Sequence, residues 1–254
     1  MQEPSIQIQP TAFRQVASAR GAEWWGGAWQ LLFNRGASAV WIVMCLIAIV
    51  ILALLHVVPV LGAIAAQIGW FVFAGGLMQA ARKTEQGSVP VVADLFAGFG
   101  ASLGPLAIGG VLVMIGVLVV VGAGTVAGLG AVGGAAYGGL TGNLGLLAGL
   151  GVTSALVALI VLLLLVPIFM AGWLAPALIM LRQQPPIEAL KASLGACWAN
   201  LGALTVYGLL WIAFAILACI PAMLGWLVLS PLMVLSTYVA YCDLFEASTP
   251  HPSA

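Results

Sequence analysis

The chain has 254 residues, of which 63% are hydrophobic and 6% charged, with seven Lys or Arg balancing seven Asp or Glu. An ordinary soluble domain carries roughly a quarter charged residues, so composition excludes that class and points to an integral membrane protein. Zero net charge and scattered basic residues leave no electrostatic footprint for nucleic acid or for clusters of acidic lipid.

Met1–Gly21 is polar, with Pro4 and Pro10, and reads as a disordered cytoplasmic tail. No apolar run precedes residue 37, so no cleavable signal peptide is expected and the first span is expected to target the chain. From residue 22 to 243 the chain reads as one membrane domain. Trp24, Trp25, Ala28, Leu31 and Leu32 fall on one helical face, the aromatic stripe of a helix lying at headgroup level. Spans are expected at about 37–58 and 63–81, turned by Pro59-Val60-Leu61-Gly62, with Arg82 and Lys83 anchoring the second exit. Ser88–Leu103 repeats the interfacial device, with Val92, Leu95, Phe96, Phe99 and Leu103 on one face.

A third span is expected at about 105–122. Residues 122–151 then hold 12 glycines in 30 positions, with overlapping GxxxG spacings at Gly130, Gly134, Gly138 and Gly142. Two readings stand: close helix contacts through GxxxG, or a long uncharged outer loop with short helical pieces. The loop is the one expected here. The fourth span, about 153–181, is longer than the roughly 30 Å hydrocarbon core and carries Pro167 and Pro176 as possible kinks.

Pro185 and Pro186 stop that helix and pre-set the next. Ile187, Leu190, Leu194, Cys197, Trp198 and Leu201 form its bulky stripe; Ala189, Ala192, Ala196 and Ala199 form a small face. Glu188 and Lys191 edge the stripe on one side, Ser193 and Asn200 on the other. Such a helix lies in an interface or packs under a bundle, and Ser193 and Asn200 are expected to hydrogen-bond to the foot of a neighbouring span. Spans at about 202–220 and 223–243 follow, joined at Pro221, and 244–254 is a short cytoplasmic tail.

With six spans, all seven basic residues (Arg14, Arg20, Arg35, Arg82, Lys83, Arg182, Lys191) fall on one side. The positive-inside rule then puts both termini in the cytoplasm of a bacterial inner membrane. A threefold repeat also emerges. Each hairpin follows an amphipathic helix that ends in a polar-x-Gly step: Asn34-Arg35-Gly36, Ser102-Leu103-Gly104 and Asn200-Leu201-Gly202. In each, the Asn or Ser could cap the next helix. The fold expected is an all-α polytopic membrane protein, six helices in three hairpins, each preceded by a cytoplasmic amphipathic helix.

Further residues resemble a known group. Trp173-Leu174-Ala175-Pro176-Ala177-Leu178, then Pro186-Ile187-Glu188-Ala189-Leu190-Lys191-Ala192-Ser193 and Asn200, together with Trp24-Trp25 and the closing Tyr238–Phe245 stretch, look like the signature of uncharacterised bacterial six-span inner-membrane proteins. That group is similar to the membrane domain beside some glycerophosphodiester phosphodiesterases. This sequence shows no soluble phosphodiesterase domain, so the resemblance implies the fold and not the activity.

The spans offer little for chemistry. His56 stands near the outer end of the first span, and metal sites need three or four converging ligands, so an interfacial histidine satisfied by water is the plainer reading. Asp243 is expected to pair structurally with Lys191 or Arg182. The cysteines Cys45, Cys197, Cys219 and Cys242 read as small buried hydrophobes. Gln67, Gln79, Thr153, Ser154, Thr205, Tyr207, Ser236 and Thr237 are the remaining polar groups in or near spans, and interhelical hydrogen bonds explain them as well as a substrate path does. No enzymatic motif, metal site or cofactor is expected. The expected function is a non-catalytic scaffold, accessory subunit or membrane-homeostasis factor, with membrane lipids and an inner-membrane protein complex as partners. The alternative is a transporter or carrier of lipid-like or apolar small molecules. The candidate interaction surface is Trp24, Trp25, Asn34, Asp94, Ser102, Glu188, Lys191, Ser193, Trp198 and Asn200.

Overall fold

The computed structural model describes residues 13–33, 36–221 and 223–246. Among these the fold is entirely helical: α1 (Arg20–Phe33), α2 (Ser38–Leu55), α3 (Leu61–Glu85), a 3₁₀ segment (Val92–Phe99), α4 (Leu103–Thr141), α5 (Leu144–Arg182), α6 (Pro186–Ala199), α7 (Leu201–Cys219) and α8 (Trp226–Tyr241), which passes into a π turn, Cys242–Glu246. Six stretches are long and apolar enough to cross a membrane: Ser38–Leu55, Leu61–Glu85, Leu103–Gly130, Val152–Arg182, Leu201–Cys219 and Trp226–Glu246. They pair as three hairpins.

The interfacial elements do not sit under their own hairpins. α1 packs mainly on α8 and α7, the 3₁₀ segment on α3, and α6 on α5. Each element therefore lies on the hairpin before its own, and α1 lies on the last hairpin, which closes the three units into a ring. Small residues make these approaches. A Cβ on Gly21 would stand 2.1 Å from the Ala203 carbonyl oxygen of α7, and one on Gly98 would stand 2.1 Å from that of Val72 in α3. The Ser193 hydroxyl of α6 donates to the Met170 carbonyl of α5 at 2.6 Å and accepts from the Leu174 amide at 3.1 Å. Lipid tails are as apolar as leucine, so close backbone approach and buried hydrogen bonds hold such helices together.

That physics sets the face of α6, which the sequence left open between an interface and a bundle. Its buried residues are Ala189, Ser193, Ala196 and Cys197, whereas Ile187, Trp198 and Leu201 are exposed. The small face meets the bundle, while the bulky stripe is split: Cys197 is buried, Leu190 and Leu194 are half-buried against the core, and Ile187, Trp198 and Leu201 face outward. The second interfacial element also differs from the expected α-helix. Asp94 Oδ2 accepts the Val91 amide at 2.9 Å at its start, and in a 3₁₀ turn residues three apart eclipse, so Phe96 and Phe99 both pack on Phe73, with ring centroids 5.9 and 5.3 Å away.

The glycine-rich stretch is a second difference. α4 and α5 are each 39 residues long, about 58 Å, and the expected loop at 122–151 is instead their two helical ends, meeting at Gly142 (φ 65°) and Asn143. The GxxxG alternative is not decided by these contacts: Cβ atoms on Gly122, Gly128, Gly130, Gly133 and Gly139 would meet nothing within 4 Å and one on Gly124 would meet Val161, whereas Gly138 is buried. α5 continues through Pro167 and Pro176.

The outer turns of hairpins one and three match in detail. Val60 (φ 62°) and Met223 (φ 65°) are both left-handed, and each is followed by Leu and Gly. Cβ atoms on Gly62 and Gly225 would meet the helix before the turn, at 1.7 Å from the Leu55 oxygen and 2.4 Å from the Ala218 Cα. Glycine is required at both.

Candidate functional site: the charged end of the bundle

One end of the bundle carries nearly all its ionic chemistry. The N-terminal residues 13–21, expected as part of a disordered tail, are instead held there. The Arg14 amide donates to the Leu244 carbonyl at 2.8 Å, and its guanidinium pairs with Asp243. Arg20 reaches Asp243 through Nε at 2.9 Å and Nη2 at 2.8 Å, and Trp24 Nε1 donates to the same carboxylate at 2.9 Å. The hydrogen bond to Asp243 holds the Arg20 guanidinium above its ordinary pKa, with the nearby Asp243 and Glu23 charges adding to it. Asp243 thus pairs with Arg14 and Arg20, not with Lys191 or Arg182. Arg182 donates to the Phe245 carbonyl and lies 5.7 Å from that ring's centroid.

The expected C-terminal tail also enters the core at its start. Leu244 and Phe245 are buried in the π turn, and Glu246 accepts from Arg82 and, at 2.8 Å, from the Tyr241 hydroxyl. Asp94 is buried and pairs with Lys83 at 2.5 Å. Tyr238 donates to Glu85. Above the ion pairs, indoles and a phenol bridge spans: Trp41 Nε1 to Thr84 at 3.3 Å, Trp173 Nε1 to Thr237 at 3.1 Å, and Tyr207 with Ser236 at 3.0 Å. The expected interhelical role of Tyr207, Ser236 and Thr237 holds.

The ten surface candidates divide sharply. Trp24 and Trp25 are buried, the latter stacked on Tyr207 at 5.1 Å, and so are not an exposed stripe. Asp94, Ser102, Ser193 and Asn200 are also buried. Asn200 accepts the Val16 amide at 2.7 Å and donates to the Arg14 carbonyl at 3.0 Å, so it pins the N-terminal segment where a span foot was expected. Ser102 takes a hydrogen bond from Gln183 Nε2 at 3.3 Å, and neither Ser102 nor Asn200 caps the helix it precedes. Lys191 and Trp198 are exposed, and Glu188 is half-buried. Asn34 lies outside the described residues, as do Arg35, residues 1–12 and residues 247–254.

The outward face consists instead of residues only partly foreseen: Trp29 with Phe33 on α1, Phe96 with Phe99 on the 3₁₀ segment, and Ile187 with Trp198 on α6. A cleft of about 430 Å³ also opens at this end, bordered by Gln79 and Arg82, three apart on α3. That spacing was the signal available in the sequence. His56, with Nδ1 2.7 Å from the Leu52 oxygen, ends α2 at the far side. Cys45 and Cys197 are buried, but Cys219 is exposed and Cys242 half-exposed, which corrects a uniformly buried set.

Six membrane-capable helices around a hydrogen-bonded ionic end define a polytopic, all-α, multi-pass membrane protein. The chain is 39% identical over 98 residues to a probable inner membrane protein of Burkholderia thailandensis, a match covering 35% of this chain and 36% of that protein. The chain therefore matches about a third of that curated relative's length. No family model matches the chain, and no solved structure does. None of these likenesses ties it to glycerophosphodiester phosphodiesterases.

Proposed function

We propose that this is a non-catalytic inner-membrane protein that works at the cytoplasmic interface, as a scaffold, accessory subunit or membrane-homeostasis factor. Its working surface is the outward face of the ring formed by α1, the 3₁₀ segment and α6. The observation that carries this reading is the outward face of that ring: whatever each element buries, α1 turns out Trp29 and Phe33, the 3₁₀ segment Phe96 and Phe99, and α6 Ile187 and Trp198. Tryptophan and phenylalanine at a charged boundary suit a headgroup layer or an apolar partner. The acids Asp94, Asp243, Glu85 and Glu246 are engaged in pairs and hydrogen bonds, which suits architecture better than proton chemistry. The basic residues at this end favour the cytoplasmic side for both termini.

A carrier of lipid-like molecules is the second reading. It is favoured by an apolar groove of about 260 Å³ between α4, α5 and α6, bordered by Val113, Gly116, Ile168 and Leu194. To test the first, Trp29→Ser with Phe33→Ser, and separately Trp198→Ser, should leave the bundle folded while changing the lipids and proteins that co-purify. An identical set from folded variants rules out the ring as the working surface. A loss confined to Gly116→Leu, which fills the groove, favours the carrier.

A further inference from the structure

The 430 Å³ cleft at the charged end is built from three elements and has two chemistries. Gln79 and Arg82 of α3 stand on one side, with Ser102 and Gln183 across from them; Met180 and Leu181 supply an apolar wall. Gln183 holds a left-handed backbone (φ 53°), from which its side-chain amide reaches Ser102 at 3.3 Å and the Met180 carbonyl at 2.9 Å. A non-glycine residue held in that region marks a place where surrounding structure overrides local preference. Gln79, half-buried in the cleft, has no hydrogen-bond partner among the described residues. An amide carries two donors and an acceptor, and these are free for a ligand.

Charge narrows what that ligand is. Arg82 is paired with Glu246, and neighbouring Lys83 with Asp94. The cleft therefore offers directed N–H and O–H donors without a net positive field, which disfavours a bare anion or a strongly acidic headgroup and suits one that is polar but neutral overall. Position narrows it further. The cleft opens at the level of the interfacial ring, and the 3₁₀ segment that walls it presents Phe96 and Phe99 to the outside, so a ligand with a polar head in the cleft would lay apolar chains along these rings.

We propose that this cleft binds the zwitterionic headgroup of a glycerophospholipid, its phosphate oxygens accepting from Gln79, Arg82 and Ser102. The assignment stands independently of the scaffold reading, because a bound lipid of this kind fits either a structural or a carrying role. The test is the thermal unfolding midpoint of delipidated protein in detergent, titrated with short-chain phosphatidylethanolamine, short-chain phosphatidylglycerol, free phosphoethanolamine and inorganic phosphate. Phosphatidylethanolamine should raise the midpoint saturably and the other three should not. Gln79→Leu, or the closer-sized Gln79→Met should the first misfold, should raise the half-saturating lipid concentration at least tenfold, while Lys191→Ala, outside the cleft, leaves it unchanged. No shift with phosphatidylethanolamine, an equal shift with phosphatidylglycerol or phosphate, or an undiminished shift in the folded Gln79 variant each overturns the assignment.

Discussion

Trp24 donates its indole N–H to Asp243 at 2.9 Å, across 219 positions of sequence. With Arg14 and Arg20 on the same carboxylate, that contact joins the start of the chain to the last hairpin and closes the ring. Removing one member of a buried charge pair costs about 3–5 kcal/mol, but Arg14 and Arg20 are 43% and 38% exposed and would be resolvated. Asp243→Ala is therefore expected to cost about 1–3 kcal/mol, read from the unfolding midpoint in detergent. It should also speed tryptic cleavage after Arg14 and Arg20. Unchanged protease protection would mean that the N-terminal segment is held by something else.

Asn200 fastens the same segment from the other side. Replacing it with Leu orphans the Val16 amide and the Arg14 carbonyl, and an unsatisfied buried polar group costs about 1–3 kcal/mol. The melting midpoint of Asn200→Leu should fall accordingly. A midpoint equal to that of the parent protein would show that water replaces the amide.

Two kinds of glycine should respond with opposite sign. Gly62→Ala and Gly225→Ala place a methyl against rigid backbone, so each should destabilise by about 1–3 kcal/mol, the usual cost of overpacking. Gly130 of α4 meets nothing, so Gly130→Ala should stabilise by up to about 1 kcal/mol through helix propensity. If Gly130→Ala destabilises, the glycine-rich stretch is not a free helical surface.

Cys197 is buried in α6, and burial pushes its thiol up to about 12, only partly offset by hydrogen bonding with Ser193. The thiolate is the reactive form, so in a variant retaining Cys197 alone, maleimide should label it at pH 8 only after unfolding. Rapid labelling of the folded protein would place α6 away from α5.

Much of this architecture was legible. The apolar runs located the spans, and the Pro59 and Pro221 turns marked two hairpins. The polar-x-Gly steps fell at the starts of α4 and α7. The face of α6 stayed open because beside lipid a bulky stripe is already in an apolar solvent, so the small Ala189, Ser193 and Ala196 can pack on the bundle. The glycines of residues 122–151 suggested a loop but continue α4 and α5, a stretch in which helix continuation overrides glycine's weak propensity. Arg14 lay in a polar stretch with no periodic pattern, and no local signal ties it, or Trp24 on the stripe of α1, to a residue more than 200 positions away.

α1, the 3₁₀ segment and α6 form one ring at one membrane level. Nitroxide labels at Trp29, Phe99 and Trp198, read one at a time in liposomes by their collision with oxygen and with a water-soluble nickel chelate, test it directly. The three labels should report the same headgroup depth in the same leaflet. Labels in opposite leaflets, or one at the bilayer centre while another is in bulk water, would contradict it.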